Sequence, residues 1–280
     1  MTDRRMLSYI DVKSPVHALC GATKLIIFLF WSVLAMTSFQ TFILLALAIL
    51  GIVFFRISKI RFSDISFIIK VMSFFLALNL AAIYLFSPEE GVNIYQSRNL
   101  ILEGRGRFTL TAEQLFYEFN IFLKYITVIP PAILLIVTTQ PSEFASSLNR
   151  IGIPYTASYA VSLTLRYIPD IQRDYEAISQ SQQARGLELS RKASIVKRLK
   201  RTIPLLLPLI ISSLDRIDVI NRAMELRGFG KNRKRSWYSA KPFSLADKAA
   251  IAISIILFAA GIWFTFRKGN RFYTPYFLIK

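Results

Sequence analysis

Residues 25–55 read LIIFLFWSVLAMTSFQTFILLALAILGIVFF, an apolar run without one Asp, Glu, Lys, Arg or His. As a single helix it would reach about 46 Å, too long for a hydrocarbon core of about 30 Å without heavy tilt. The polar cluster Thr37, Ser38, Gln40 and Thr41 lies near its middle. Two short spans turning at 38–41 therefore fit better than one long helix. The flanks agree with this reading. Lys13 and Lys24 precede the run, and Arg56, Lys59 and Arg61 follow it. Both ends thus prefer the cytoplasm, which requires an even number of crossings.

The whole chain has the same character. Its 280 residues are 54% hydrophobic and only 19% charged, with a mean hydropathy of +0.44. A soluble domain of this length would carry more charge, and it would not gather its apolar residues into long runs. In a membrane protein the net charge of +18 is explained first by retention of Lys and Arg on the cytoplasmic side. One Cys (Cys20) and one His (His17) exclude a disulfide framework and leave no His/Cys metal site. The first 24 residues lack an apolar core ending in small residues, so no cleavable signal is expected.

Further spans are expected at 65–86, at about 115–139 and at 249–266. The third of these spans follows Asp247 and Lys248. Residues 87–113, polar and of mixed charge, read as an outer loop. Lys70 lies near the inner end of its span, where it can snorkel. Glu118 and Lys124 fall within the fourth crossing, near its ends, and Pro130–Pro131 are expected to kink it. The expected fold is an all-α integral membrane protein of about five transmembrane helices, with the N-terminus inside and the C-terminus outside. Arg267, Lys268 and Arg271 would then fall outside, a mild violation of the charge rule. Three regions follow: 1–139 with about four spans, 140–243 on the cytoplasmic side, and 244–280 with the last span and a tail.

Residues 140–243 are of another kind. They carry eighteen Lys/Arg against eight acids, yet remain rich in Leu and Ile. Pro141–Ser142 opens a short helix that Gly152 and Pro154 close. A long amphipathic helix is expected from Thr156 to Gly186, with Leu163, Leu165, Ile168, Ile171 and Ile178 apolar. A second is expected from near Pro204 to Gly228. Its first part, residues 203–214, is apolar nearly all round and reads as lying against the bilayer.

Both long helices end alike, in Ala184-Arg185-Gly186 and Leu226-Arg227-Gly228. Gly just past a helix end closes it in the left-handed conformation, and Arg in the last turn suits the negative end of the helix dipole. One such tripeptide is ordinary helix punctuation. Two copies in one cytoplasmic segment point to a pair of guanidinium groups held at two helix tips, each able to bind an acidic partner bidentately. Two tips of this kind suit a partner with two equivalent acidic grooves, such as a dimer.

The stretch 138–187, together with AMELRGFG at 223–230, closely resembles the transmembrane T component of energy-coupling-factor (ECF) transporters. That group includes the membrane subunits of cobalt and biotin uptake systems. SPVHALCGATKL at 14–25 is similar to the family's N-terminal segment. The resemblance is most specific in the two Arg-Gly steps and in Leu165-Arg166-Tyr167-Ile168-Pro169. It implies a non-catalytic coupling subunit of an ABC-type importer in the prokaryotic cell membrane, serving uptake of a vitamin or of cobalt or nickel. Arg185 and Arg227 match the coupling-helix arginines that dock into grooves of two ABC ATPase subunits, or of an ATPase homodimer. The apolar faces of those helices would cradle a small substrate-binding (S) subunit. The family commonly has Ala before both arginines, where this chain has Leu226 before the second. It usually reads Asp-Pro-Arg-Thr-Lys where this chain has Cys20-Gly21-Ala22-Thr23-Lys24.

Other classes find no support. No G-x-x-x-x-G-K-[ST] is present, so ATP binding in the P-loop manner is not expected. Gly104-Arg105-Gly106 reads as a turn. The basic runs at 191–201 and 231–235 read as contacts to anionic headgroups rather than to nucleic acid. No nucleophile-base set or paired carboxylates stand out, and neither a cofactor nor a metal is expected. A self-contained transporter with its own substrate site is the alternative. It would need an internal repeat or broken helices at midplane. A membrane-embedded enzyme would need clustered His, Asp or Glu within the spans.

Overall fold

A computed structural model of the chain describes residue 12 and residues 14–102, 108–186, 195–231, 236–238, 240–267 and 272–273. They form two compact units, Met1–Gln140 with Lys241–Lys280, and Pro141–Ala240. The first unit holds α1 (Pro15–Ala18), α2 (Gly21–Thr37), α3 (Thr41–Ile57), α4 (Phe62–Phe86), α5 (Glu90–Tyr95), β1 (Leu100–Leu102), β2 (Leu110–Thr111), α6 (Ala112–Thr138) and α10 (Leu245–Phe266). The second holds α7 (Pro141–Arg150), α8 (Tyr155–Ala184) and α9 (Ile195–Leu226). This is an all-α, multi-pass membrane architecture. Ile65–Phe86, Ala112–Thr138 and Leu245–Phe266 are long and apolar enough to cross a bilayer, while Gly21–Thr37 and Thr41–Ile57 are shorter apolar helices.

The expected turn at 38–41 is present, and it divides the first apolar run into two helices of 17 residues. At 1.5 Å per residue each reaches about 26 Å, at the short end of what spans a hydrocarbon core. The described part of residues 87–113, read from the sequence as an outer loop, is more ordered than its polarity suggested. It folds into α5 and an antiparallel pair in which Leu100 faces Thr111 and Leu102 faces Leu110. The cause is Glu113 in the first turn of α6, fully buried. Its carboxylate accepts from the Asn99 backbone N–H (3.0 and 3.1 Å), the Asn99 amide and Ser97 Oγ. A lone acid at a helix N-terminus, fed by several donors, organises the loop around it.

Around α6 the first unit is a ladder of side chains reaching neighbouring backbones. Lys24, at the start of α2, donates to the carbonyl of Thr138 at the end of α6 (2.8 Å). Lys124 donates to the Met36 carbonyl in the last turn of α2 (2.8 Å), with its ammonium 3.2 Å from the Phe39 ring centroid. α2 and α6 are therefore antiparallel, and each lends a lysine to the other's carbonyl end. The last carbonyls of a helix lack intrahelical partners and carry the negative end of its dipole, so a cation there is favourably placed.

Between the two lysines, Trp31 Nε1 donates to the Thr127 carbonyl (3.0 Å). That carbonyl would ordinarily accept from residue 131, which is Pro131 and has no N–H. α6 runs through Pro130 and Pro131 as one helix, and the indole of α2 takes up the bond the proline removed. Thr127 Oγ1 donates in turn to the Leu44 carbonyl of α3 (3.1 Å), and Thr41 Oγ1 donates to Asn120 Oδ1 (2.8 Å). Helix α10 lies beside α2 and runs in the same direction. The Cys20 N–H donates to Asp247 Oδ1 at one end (2.8 Å), and Thr265 Oγ1 meets Ser38 Oγ at the other (3.1 Å). Asp247 also closes a reciprocal cap with Ser244. Lys24, Lys124 and Asp247 are all less than a tenth exposed, and each is spent on holding helix ends.

Two predictions follow from this ladder. Trp31→Phe leaves the Thr127 carbonyl without its donor and lowers stability by about 1–3 kcal/mol. Lys124→Met lowers it by a similar amount, about 1.5–3 kcal/mol, because a charged donor is lost. Thermal unfolding in detergent checks both, and a midpoint unchanged in Trp31→Phe would contradict the carbonyl-rescue role.

Candidate functional site

The second unit begins with α7, whose end at Arg150 leads through Gly152 and Pro154 into the 30 residues of α8. The helix expected from Thr156 starts one residue earlier. The second long helix departs further from expectation. It begins at Ile195 rather than near Pro204, and passes through Pro204 and Pro208 without a break. Two prolines four residues apart each remove a backbone donor, which makes a start at Pro204 the natural reading of the sequence. Lys197, Arg198, Lys200 and Arg201 are consequently on α9. Residues 191, 192 and 233–235 of the basic runs, like 104–106, lie outside the described residues.

Both arginine-glycine steps close their helices through the N–H of the glycine. At the end of α9, the Gly228 N–H donates to the Glu225 carbonyl (2.9 Å) and the Phe229 N–H to the Met224 carbonyl (2.9 Å). This crossed pair is the Schellman closure, with Arg227 at the C-cap and Gly228 beyond it. At the end of α8, the Gly186 N–H donates to the Gln183 carbonyl (3.0 Å), with Arg185 at the C-cap. Gly186 has φ +90° and Gly228 φ +64°, the left-handed region that a Cβ disfavours. Ala184, Arg185, Leu226 and Arg227 are all exposed. Each guanidinium is thus carried on the last residue before a sharp reversal, at the negative end of a helix longer than 40 Å.

The structure also places the two helices against each other inside the second unit. Arg216 Nη2 of α9 donates to Asp174 Oδ2 of α8 at 2.6 Å, and the Arg216 guanidinium lies 6.0 Å from the Tyr167 ring centroid. Asp174 and Arg216 each stand eleven residues before a tip arginine. Each tip is therefore about 16 Å along its helix from this contact. At the other end of α8, Tyr155 and Tyr159 stack on each other and pack against Phe229 and Trp237, with ring centroids 4.8–6.3 Å apart. Trp237 Nε1 donates to Asn149 Oδ1 of α7 (3.1 Å). Phe229 stands two residues past Arg227, so the end of α9 returns to the start of α8. The helices cross antiparallel, and their arginines point away from the contact in opposite directions.

Sequence reasoning found the tips and missed what holds them. The equal eleven-residue offset of Asp174 and Arg216 was a legible signal, and so was the Tyr155/Tyr159 spacing of one helical turn. That Trp237 and Asn149, 88 residues apart, would meet had no sequence signal. Among the described residues, no group of His, Cys, Asp and Glu could hold a metal ion.

A set of apolar helices fastened by backbone caps, with two long arginine-tipped helices in a separate unit, defines an all-α, multi-pass membrane protein. Comparison with known proteins makes the class specific. The CbiQ family, described as cobalt transport protein, matches residues 12–237. The energy-coupling factor transporter transmembrane protein EcfT of Staphylococcus aureus is 28% identical over 264 residues, covering 89% of this chain and 94% of that protein. The EcfT of Bacillus subtilis is 28% identical over 91% of this chain and 96% of its own length. The EcfT of Streptococcus thermophilus is 30% identical over 89% of this chain and 96% of its own length. The chain belongs to the CbiQ/EcfT-like family of ECF transporter transmembrane (T) components. It is a transport subunit of the prokaryotic cell membrane, not an enzyme.

The tip geometry carries its own prediction. Gly186→Ala and Gly228→Ala each destabilise their helix end by about 1–2 kcal/mol, and Asn in either place costs less. A double-mutant cycle on Asp174→Ala and Arg216→Ala gives a coupling of about 1 kcal/mol, because roughly a third of each side chain is exposed (31% and 35%). Chemical denaturation of the purified chain measures both.

Proposed function

We propose that this chain couples ATP-driven motion of two ABC ATPase subunits, or of an ATPase homodimer, to a small substrate-binding membrane subunit. The observation that carries the reading is the pair of glycine-closed arginine tips at opposite ends of a crossed helix pair. Ala184, Arg185 and Gly186 form one docking tip, and Leu226, Arg227 and Gly228 form the other. A guanidinium presented at a helix end can make a bidentate contact with a carboxylate in an ATPase groove. Two such contacts on two related subunits translate a change in the distance between grooves into a change of crossing angle. Exposed Ile168, Ile171, Ile210, Ile211 and Ile217 offer apolar sides on which a membrane subunit can rest. When the helices tilt, that subunit turns in the bilayer and releases its cargo inside. The cargo is a vitamin or a transition-metal ion such as cobalt or nickel; the description of the matching family, cobalt transport protein, supports the metal.

In this reading residues 1–139 and 244–280 are the membrane regions and 140–243 is the coupling region. α2, α3, α4, α6 and α10 cross the bilayer, five times in all. The parallel course of α2 and α10 supports an outer C-terminus. A self-contained transporter gains no support from the spans, where Lys24, Trp31, Lys124 and Thr127 are engaged in joining helices.

Arg185→Glu and Arg227→Glu each weaken ATPase association by about 2–5 kcal/mol, and the double variant loses co-purification and uptake. Co-expression with the neighbouring genes, followed by affinity purification and identification of the co-eluting chains, measures this. A double variant that still co-purifies with two ATPase chains and still transports would overturn the docking role.

A further inference from the structure

The first unit contains a groove of about 570 Å³ between α2, α3, α6 and α10, with α1 at one end. Its walls include Phe28, Leu47, Phe54, Leu134, Ile253 and Phe258. The few polar side chains that line it are spent within the protein. Lys24 donates to the Thr138 carbonyl, Thr138 Oγ1 to the Leu134 carbonyl, Trp31 to the Thr127 carbonyl and Ser254 to the Ile251 carbonyl. The groove therefore offers an occupant contact without hydrogen bonds, which suits a hydrocarbon and not a polar cargo.

Its dimensions narrow the choice. Along α2 the lining runs from Lys24 to Leu34, along α3 from Ile57 to Leu47, and along α10 from Ala246 to Phe258. Each is about 15–18 Å of helix, roughly half of a hydrocarbon core of about 30 Å. The groove is one leaflet deep. At its mouth stand the starts of α2 and α10 and the end of α3, the helix end at which Arg56 and Lys59 are exposed. Asp247, the acid nearest this mouth in sequence, is buried and committed to Ser244 and the Cys20 N–H. The mouth is basic and belongs to the cytoplasmic side.

We propose that this groove holds one acyl chain of an anionic phospholipid from the cytoplasmic leaflet, with the phosphate at the basic mouth. Basic recesses between transmembrane helices on the cytoplasmic side have the charge that such headgroups need. The lipid would fill the space between α10 and the α2–α3 pair.

The test uses the full-length chain extracted from vesicles of equal phosphatidylglycerol and phosphatidylcholine, examined by native mass spectrometry. Phosphatidylglycerol is retained over phosphatidylcholine by about tenfold. Ala250→Trp, which fills the groove from α10, loses that retention, while Ile255→Trp on the exposed side of α10 keeps it. Equal retention in both variants, or no preference between the two lipids, overturns the proposal. A second measurement needs no variant. Phosphatidylglycerol with a photoreactive group on its acyl chain labels Phe28 and Phe258 in excess over the exposed Phe74 and Phe75 of α4. Even labelling of all four, or a groove occupied by a protein chain, rules the proposal out.

Discussion

The first unit depends on a pair of lysines that close each other's helices. Lys24 and Lys124 sit on antiparallel α2 and α6, and each donates to carbonyls at the other's C-terminal end. An uncompensated ammonium inside a membrane protein is costly. The orphan carbonyls of a helix end are costly as well, because no water reaches them. Bringing the two together offsets both costs, and it sets the register of α2 on α6 to within a hydrogen-bond length at two levels. The other polar contacts then fall between these levels. Trp31 meets the carbonyl that Pro131 cannot serve, and Thr127 and Asn120 carry the pattern on to α3. An acyl-deep groove persists beside this ladder because α2, α3 and α6 are held by backbone caps and not by close apolar packing alone.

The second unit is assembled on another principle. Among the described residues, α8 and α9 meet at the Asp174–Arg216 ion pair and, through Phe229 and Trp237 beyond α9, at the Tyr155–Tyr159 cluster, and much of their apolar surface is left uncovered in this chain. The closures at Gly186 and Gly228 set each arginine at its helix end.

Much of this was legible in the chain itself. The apolar runs, the polar break at 38–41, the basic bias of one side and the two Arg-Gly steps are local features, and the backbone obeys them. Reading failed where a residue's local preference is overruled by a distant partner. Pro204 and Pro208 look like a helix start, yet α9 passes through them. The outer loop looks irregular, yet Glu113 organises it by accepting from Ser97 and Asn99. Lys124 stands in an apolar crossing, and it caps the end of α2.

By itself, the sequence determined the membrane class, the break of the first apolar run into two short helices and the existence of two arginine tips. Each follows from hydropathy, charge or turn chemistry within a few residues. Tertiary structure alone decided which carbonyl each buried lysine serves, where α8 and α9 cross, and that a hydrocarbon-lined groove one leaflet deep lies beside α10. Those facts join residues about 40 to more than 220 positions apart, and the hydrogen bond or void that results is a property of the packed helices, with no local pattern to announce it.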